Sequence, residues 1–324
     1  MEKKAFVMSV ILGMVLPTLL FYNAGRIANS RISEEPSAAV HMKPMKEPET
    51  VYVSVVDKQG KVQNMELDTY LLGVVLGELP GSFHTEAIKA QVVAVRTLTL
   101  RRLSSDPKHG EAAVCMESGC CQAFCDPREY EALGGDASFI KRVETCISET
   151  KNQVLIYEDV LIDAAYFSCS GGRTEDALAV WGTDVPYLQS ADSPGEEFAS
   201  HYTDTVTMDV SDFQKALGLS DTVSEKPYVE SVLYTRGGGV ESITISGSVF
   251  TGMEFRTLLN LRSTNFTVTV SSDQVTITTK GFGHRVGMSQ YGAEAMALEG
   301  YSYDQILLHY YAGTRLVRWD GKTQ

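Results

Sequence analysis

From Val51 to Val56 apolar and polar residues alternate, the period-two pattern of a half-buried strand, and Gly60 predicts a turn into a second short strand near Val62. The next segment, ELDTYLLGVVLGELP, changes period. Leu71, Val74 and Val75 fall at helical spacing, Asp68 is placed to cap the helix and Pro80 to end it. Glu78 continues the same face, so an acidic residue lies on an apolar stripe. Thr85 is the expected cap of a second helix, with Glu86 in its first turn and Ile88, Val92, Val95 and Thr99 as the buried stripe. Residues 105–135 break the pattern. A helix is then predicted over 138–150, and VLIYEDVLIDAAYFSCSGG predicts a hairpin turning at Glu158–Asp159. Residues 229–279 are richer in strands, among them VESITIS and FTVTV, with a short helix near 251–259. The chain returns to a helix over 289–299, behind the glycine-rich GFGHRVGM. Regular alternation of strands and helices is absent, which predicts an α+β fold rather than a doubly wound sheet.

A different pattern precedes this region. Lys3 and Lys4 are followed by a run from Ala5 to Tyr22 without a charged residue, long enough for one helix across a hydrocarbon core of about 30 Å. A cleaved signal peptide is the competing reading, but Tyr22, Asn23 and Gly25 fit its small-x-small site poorly. Residues 1–25 are therefore expected to be a cytoplasmic tail and a single transmembrane anchor. Residues 26–50, polar and broken by prolines at 36, 44 and 48, read as a tether. The functional region is expected over 51–316, outside the cytoplasm, with 176–280 as a strand-rich subdomain. The formal net charge of −13 comes without a basic stripe, which argues against a nucleic-acid partner.

Burial of Glu78 would disfavour its ionised form and suit it to general acid work, whereas a frayed helix end would leave it an ordinary solvated carboxylate. Lys89 and Arg96, seven residues apart on one helix face, are placed to bracket an acidic group or a substrate, or simply to form a solvated face. His109, Cys115 and Cys121 form H-x5-C-x5-C, with Cys120 alongside. Imidazole and thiolates suit tetrahedral zinc, and disulfide bonding is the alternative outside the cytoplasm. Cys146 and Cys169 read as buried thiols or a pair. Glycines 281, 283 and 287 allow close approach of the backbone to a ligand or a tight turn, and Ser289 is placed to cap the following helix. Trp181 and Tyr187 are candidates to stack on sugar rings, although the apolar AVWG setting favours core packing for Trp181. His84, His201 and His309 are expected to be structural or on the surface.

GELPGSFHTEAIKAQVVAVRTLTL, CQAF at Cys121, SGGRTED at Ser170, GFGHRVGMSQYGAEAMALEG at Gly281 and HYYAGT at His309 occur in order. Together they resemble the stage II sporulation protein D family, peptidoglycan lytic transglycosylases used in forespore engulfment, over nearly all of 51–314. The resemblance implies that Glu78 is the catalytic acid and that Lys89 and Arg96 belong to the active-site region. It gives Ser289, Gln290 and Tyr291 a sugar-facing role. It also implies a structural zinc on His109, Cys115 and Cys121, with Cys120, Cys125 or water as fourth ligand, since the family tends to have histidine where this chain has Cys120. The implied substrate is glycan with its stem peptides removed, cut between N-acetylmuramic acid and N-acetylglucosamine to leave 1,6-anhydro ends. The implied partners are stage II sporulation proteins P and M, at the cell membrane. The same superfamily includes amidase enhancers, so a non-catalytic wall-binding role is the alternative.

Overall fold

A computed structural model describes residues 50–105, 107–219 and 227–321. The expected anchor and nearly all of the tether lie outside these residues. Among the described residues no helix is long and apolar enough to cross a membrane.

The first hairpin forms where alternation predicts it. β1 (Tyr52–Val56) and β2 (Val62–Glu66) pair antiparallel and send Val53 and Val55 fully into the core. α1 (Leu67–Glu78) and α2 (Thr85–Leu103) follow, with caps that differ from expectation. Strand β2 runs straight into α1, so Glu66 holds the cap position without a side-chain bond. Asp68 sits inside the first turn, where its charge complements the helix dipole. α2 is capped by His84, whose Nδ1 accepts from the Glu86 N–H at 3.2 Å, and Thr85 is already helical. The stripe predicted on α2 is buried, but so is most of its circumference, because other helices surround it.

β3 (Val114–Cys115) adds to β1 in parallel, and two helices follow, α3 (Pro127–Ala132) and α4 (Ala137–Glu149). β4 (Gln153–Tyr157) and β5 (Val160–Leu161) form the expected hairpin. Its turn residues Glu158 and Asp159 have φ of 48° and 64°, the left-handed pair that matches strand twist in a two-residue turn. Next come β6 (Tyr166–Phe167) and the single-turn α5 (Ala177–Trp181).

Residues 203–280 build a second core. It contains β7 (Thr203–Asp209), α6 (Val210–Ala216), β8 (Val229–Tyr234), β9 (Val240–Ile245), β10 (Ser248–Thr251), α7 (Gly252–Leu258), β11 (Asn265–Val270) and β12 (Gln274–Lys280). Two antiparallel sheets, β10-β9-β8 and β11-β12-β7, contribute alternate side chains to it. Phe255 of α7 stacks on Phe266 at 4.8 Å near its centre. The capping box of Thr251 and Glu254 starts α7.

The chain then returns to the first core. β13 (Met288–Ser289) pairs with β6 in parallel, α8 (Gln290–Leu298) and α9 (Tyr303–Tyr310) pack on α2, and β14 (Arg315–Arg318) pairs with β4. The architecture is α+β, with small separate sheets around a helical centre.

The glycine-rich loop before β13 is held by two kinds of constraint. Gly287 has φ 82°, and a Cβ there would lie 2.0 Å from the Ala165 carbonyl oxygen, so only glycine lets this backbone lie so close to the 165–167 segment. Arg285 also adopts a left-handed φ, 65°, although it has a side chain. Its buried guanidinium donates to the Ser170 carbonyl (2.7 Å), the Arg173 carbonyl (2.9 Å), the Gly237 carbonyl (2.8 Å) and Glu175 Oε1 (2.9 Å). Glu175 Oε1 accepts in addition from the Gly239 N–H at 2.9 Å. One ion pair thus ties the loop, the 170–175 segment and the β8–β9 turn together.

Arg285→Met should leave the Glu175 carboxylate buried without its cation, and the expected loss is about 3–5 kcal/mol of unfolding free energy. Urea denaturation of both proteins at one pH checks it; a loss below about 1 kcal/mol would show that the pair does not hold the loop.

Candidate active site

The loop after β3 lies flat on α1 because α1 presents glycines to it. A Cβ on Gly73 would be 2.1 Å from the Phe124 ring, and one on Gly77 would be 3.0 Å from the Ala123 backbone. The Cys125 N–H donates to the Gly73 carbonyl at 2.9 Å. This close approach brings the Ala123 N–H to Glu78 Oε1 at 2.8 Å. From another element, Gln290 at the start of α8 donates its amide to Glu78 Oε2 at 3.1 Å. Residues 78 and 290 are therefore partners, although 212 positions separate them.

Gln122 anchors that loop from inside. Its Oε1 accepts from the Tyr70 hydroxyl (3.1 Å) and the Thr99 hydroxyl (3.2 Å), and its amide donates to the Tyr166 hydroxyl (2.9 Å). Tyr166 lies within hydrogen-bonding reach of the Glu78 carboxylate as well. Burial pushes the Glu78 carboxyl above the usual carboxylate range, while the Ala123 N–H, Gln290 and Tyr166 donors pull against that rise. The group thus favours its proton more than a solvated glutamate does, yet has donors ready for the carboxylate once the proton leaves.

Glu78 and Gln290 open onto a cleft of about 940 Å³. Its walls include Arg102, Asp163, Trp181, Arg256, Phe282 and His284. Trp181 does not pack in the core as expected. α5 is too short to bury an indole and ends at Gly182 in a left-handed turn, so the ring is 44% exposed and rests beside His284 at 5.5 Å. Burial pulls the His284 imidazole down to about 4, which keeps it neutral at physiological pH. Tyr187 is buried, its hydroxyl accepting from the Asp163 N–H at 3.0 Å, and is a core residue rather than a sugar platform.

Of the five residues expected to contact substrate, the cleft is lined by Gln290 and not by Lys89, Arg96, Ser289 or Tyr291. Arg96 is fully buried and donates to the Ile147, Thr150 and Gln153 carbonyls at 2.9–3.3 Å, so it closes the end of α4 against β4. Lys89 does bracket acidic groups, namely Glu86 at 3.0 Å and Glu149 at 2.9 Å. Ser289 caps α8 as expected, accepting from the Gly292 N–H at 3.1 Å, but its hydroxyl donates to the buried Glu196. Tyr291 packs edge-on against Phe83 at 5.2 Å. Helix periodicity places Lys89 and Arg96 on one face but does not say which neighbour covers that face, and here α4 and its following strand cover it.

His109, Cys115, Cys120 and Cys121 converge, with all four ligand atoms within 4.8 Å of one another. His109 Nε2 lies 3.3 Å from Cys121 Sγ and 3.7 Å from Cys120 Sγ. One imidazole nitrogen and three thiol sulfurs this close together are the donor types and number that a tetrahedral zinc takes, so the residues fit such an ion. Cys120 is the fourth member, whereas Cys125 turns toward the Asp126 carbonyl. The six cysteines are free thiols, Cys146 and Cys169 buried among them. His84 is a helix cap, His201 contacts Arg262 and His309 contacts the Asp192 carbonyl, all structural or near the surface.

Glu196, Glu175 and Arg285 are buried outside the cleft lining, and because they lie in loops no periodicity marks them in the sequence. Gln122 sits in the CQAF block, where adjacency to Cys121 was its one visible signal.

Residues 56–157 match the family described as Stage II sporulation protein. Stage II sporulation protein D of Bacillus subtilis (strain 168) is 32% identical, over 99% of this chain and 97% of its own length. Stage II sporulation protein D of Bacillus amyloliquefaciens is 36% identical, over 80% and 76%. An amidase enhancer of Bacillus subtilis (strain 168) is 28% identical over 77% of this chain and 40% of its own. With likeness running the length of the chain and the matched region holding both Glu78 and the thiol cluster, this chain belongs to the stage II sporulation protein D family.

Proposed function

We propose that this protein cuts the glycan strands of peptidoglycan as a lytic transglycosylase, with Glu78 as its acid and then its base. The observation that carries this is the Glu78 carboxyl itself, raised by burial, held by two N–H donors and open to a cleft of about 940 Å³. Protonated Glu78 gives its proton to the glycosidic oxygen as the bond from C1 of N-acetylmuramic acid breaks. The carboxylate left behind takes the proton of the muramic acid 6-hydroxyl, whose oxygen bonds to C1 and closes a 1,6-anhydro ring. No water enters, and Glu78 ends protonated as it began. Asp163 also lines the cleft but is engaged by Arg102 at 3.5 Å, and this scheme needs no second carboxylate.

The same reading assigns a structural zinc to His109, Cys115, Cys120 and Cys121. Bound there, such an ion would hold these four side chains together rather than activate a water. Gln122 and Ala123 follow Cys121 directly, so a fixed Cys121 fixes the amide that meets Glu78. The substrate lies outside the cytoplasm, which accords with a membrane anchor at residues 5–22 and a site facing outward. Trimmed glycan as substrate, and stage II sporulation proteins P and M as partners, complete the proposal. The likeness to an amidase enhancer favours one alternative, a wall-binding stimulator of an amidase.

Glu78→Gln should keep the fold and lower glycan cleavage by ~10²–10⁴-fold, with anhydro ends vanishing from the mass spectrum of the products. Retained turnover would refute the acid assignment, and an amidase enhancer would keep its stimulation in this variant.

Stability supplies an independent check. Folded Glu78 keeps its proton to higher pH than in the unfolded chain, so native stability falls as pH rises from the ordinary carboxylate range through the raised value, then levels off. Glu78→Gln lacks that titration. Its melting temperature relative to the unsubstituted protein should therefore be more favourable at pH 7 than at pH 4, as read by differential scanning fluorimetry.

Cys121→Ser should lower bound zinc and melting temperature together, with activity lost as a consequence. Elemental analysis of the purified, active protein decides the point, since activity without zinc would remove the metal from the scheme.

A further inference from the structure

The second core places one side chain in the cleft wall, Arg256 of α7. Its Nε donates to the Leu261 carbonyl at 3.1 Å, which uses one of the five N–H donors of a guanidinium. Among the described residues no carboxylate lies within ion-pair distance of it, whereas Arg102 in the same cleft has Asp163 at 3.5 Å. Arg96, also without a carboxylate, spends its donors on three carbonyls, whereas Arg256 has one carbonyl and faces a cleft, so a ligand acceptor there would satisfy a cation partly withdrawn from water.

What lies near Arg256 indicates the ligand. Its charge acts on the His284 ring, which touches Trp181 and Phe167, each at 5.5 Å. Trp181 is 44% exposed and Phe282 38% exposed, and both line the cleft. An exposed indole offers a flat apolar face to a pyranose ring, and a guanidinium fork matches a carboxylate with two parallel hydrogen bonds.

We infer that Arg256 and Trp181 form a subsite for a sugar that carries a carboxylate, the guanidinium binding the acid and the indole covering the ring. The inference rests on the glycan-cutting reading and adds to it the chemical feature that the cleft selects. Peptidoglycan offers such a carboxylate from two sources, the lactyl ether of a muramic acid without its stem peptide and the free acids of a retained stem.

The test is calorimetric binding by the full-length protein, with Glu78→Gln in every sample so that glycan stays intact. Three oligosaccharides of equal length serve as probes: stem-free muramic acid–glucosamine glycan, the same glycan bearing stems, and uncharged chitooligosaccharide. A carboxylate-bearing glycan should bind ~10-fold tighter than chitooligosaccharide, a gap that shrinks as salt is raised. Arg256→Gln should abolish the gap and Arg256→Lys should restore part of it. Whichever glycan shows the advantage identifies the source of the carboxylate. Equal binding of charged and uncharged sugars, a gap insensitive to salt, or a gap that survives in Arg256→Gln would overturn the subsite while leaving glycan cleavage intact. Failure to bind any of the three would remove the glycan reading with it.

Discussion

A buried carboxylate that the proposed chemistry never uses governs the geometry of the site. Glu196 is fully buried, and its two oxygens accept from the Ser170 N–H and hydroxyl, the Gly171 N–H, and the hydroxyls of Ser193 and Ser289. A carboxylate in the interior is tolerated only when its lone pairs are filled by donors, so the segments that supply them have little freedom. One of those donors, Ser289, also caps α8, and the next residue is the Gln290 that reaches Glu78. The position of the Glu78 partner therefore follows from how an unrelated buried charge is satisfied.

The 170–175 segment carries a second obligation. Its Ser170 carbonyl accepts from the Arg285 guanidinium, and its Glu175 is the ion-pair partner of the same arginine. A negative and a positive buried group thus share one stretch of backbone, and each holds it from a different side. Through Gly237 and Gly239 the same contacts reach the β8–β9 turn, which belongs to the second core. The second core meets this ion pair through backbone groups, the Gly237 carbonyl on Arg285 and the Gly239 N–H on Glu175, so withdrawing it would leave both charged groups short of a hydrogen-bond partner.

On the other flank, Glu78 is positioned by backbone closeness rather than charge. The glycines of α1 let the 121–125 loop approach until Ala123 can donate, and Gln122 fixes that loop through three neutral hydrogen bonds. The thiol and imidazole cluster ends one residue before Gln122, so its packing bears directly on the loop that meets Glu78.

The sequence by itself determined what depends on near neighbours in the chain. The alternation of β1, the Glu158–Asp159 turn, the Ser289 cap, the apolar stripe carrying Glu78 and the spacing of His109, Cys115 and Cys121 are all local patterns, and the structure shows each element they predict. The tertiary structure decided what depends on which surface meets which. It turned Arg96 inward to helix-end carbonyls and bound Lys89 to Glu86 and Glu149, because packing surrounds α2 on most sides and the part of it that meets the cleft is the Arg102 end. It exposed Trp181, because a single-turn helix cannot bury an indole, and chose Cys120 over Cys125 by the fold of one loop. The 212-residue step from Glu78 to Gln290 is likewise outside any sequence pattern, since periodicity encodes a face and only packing supplies its neighbour.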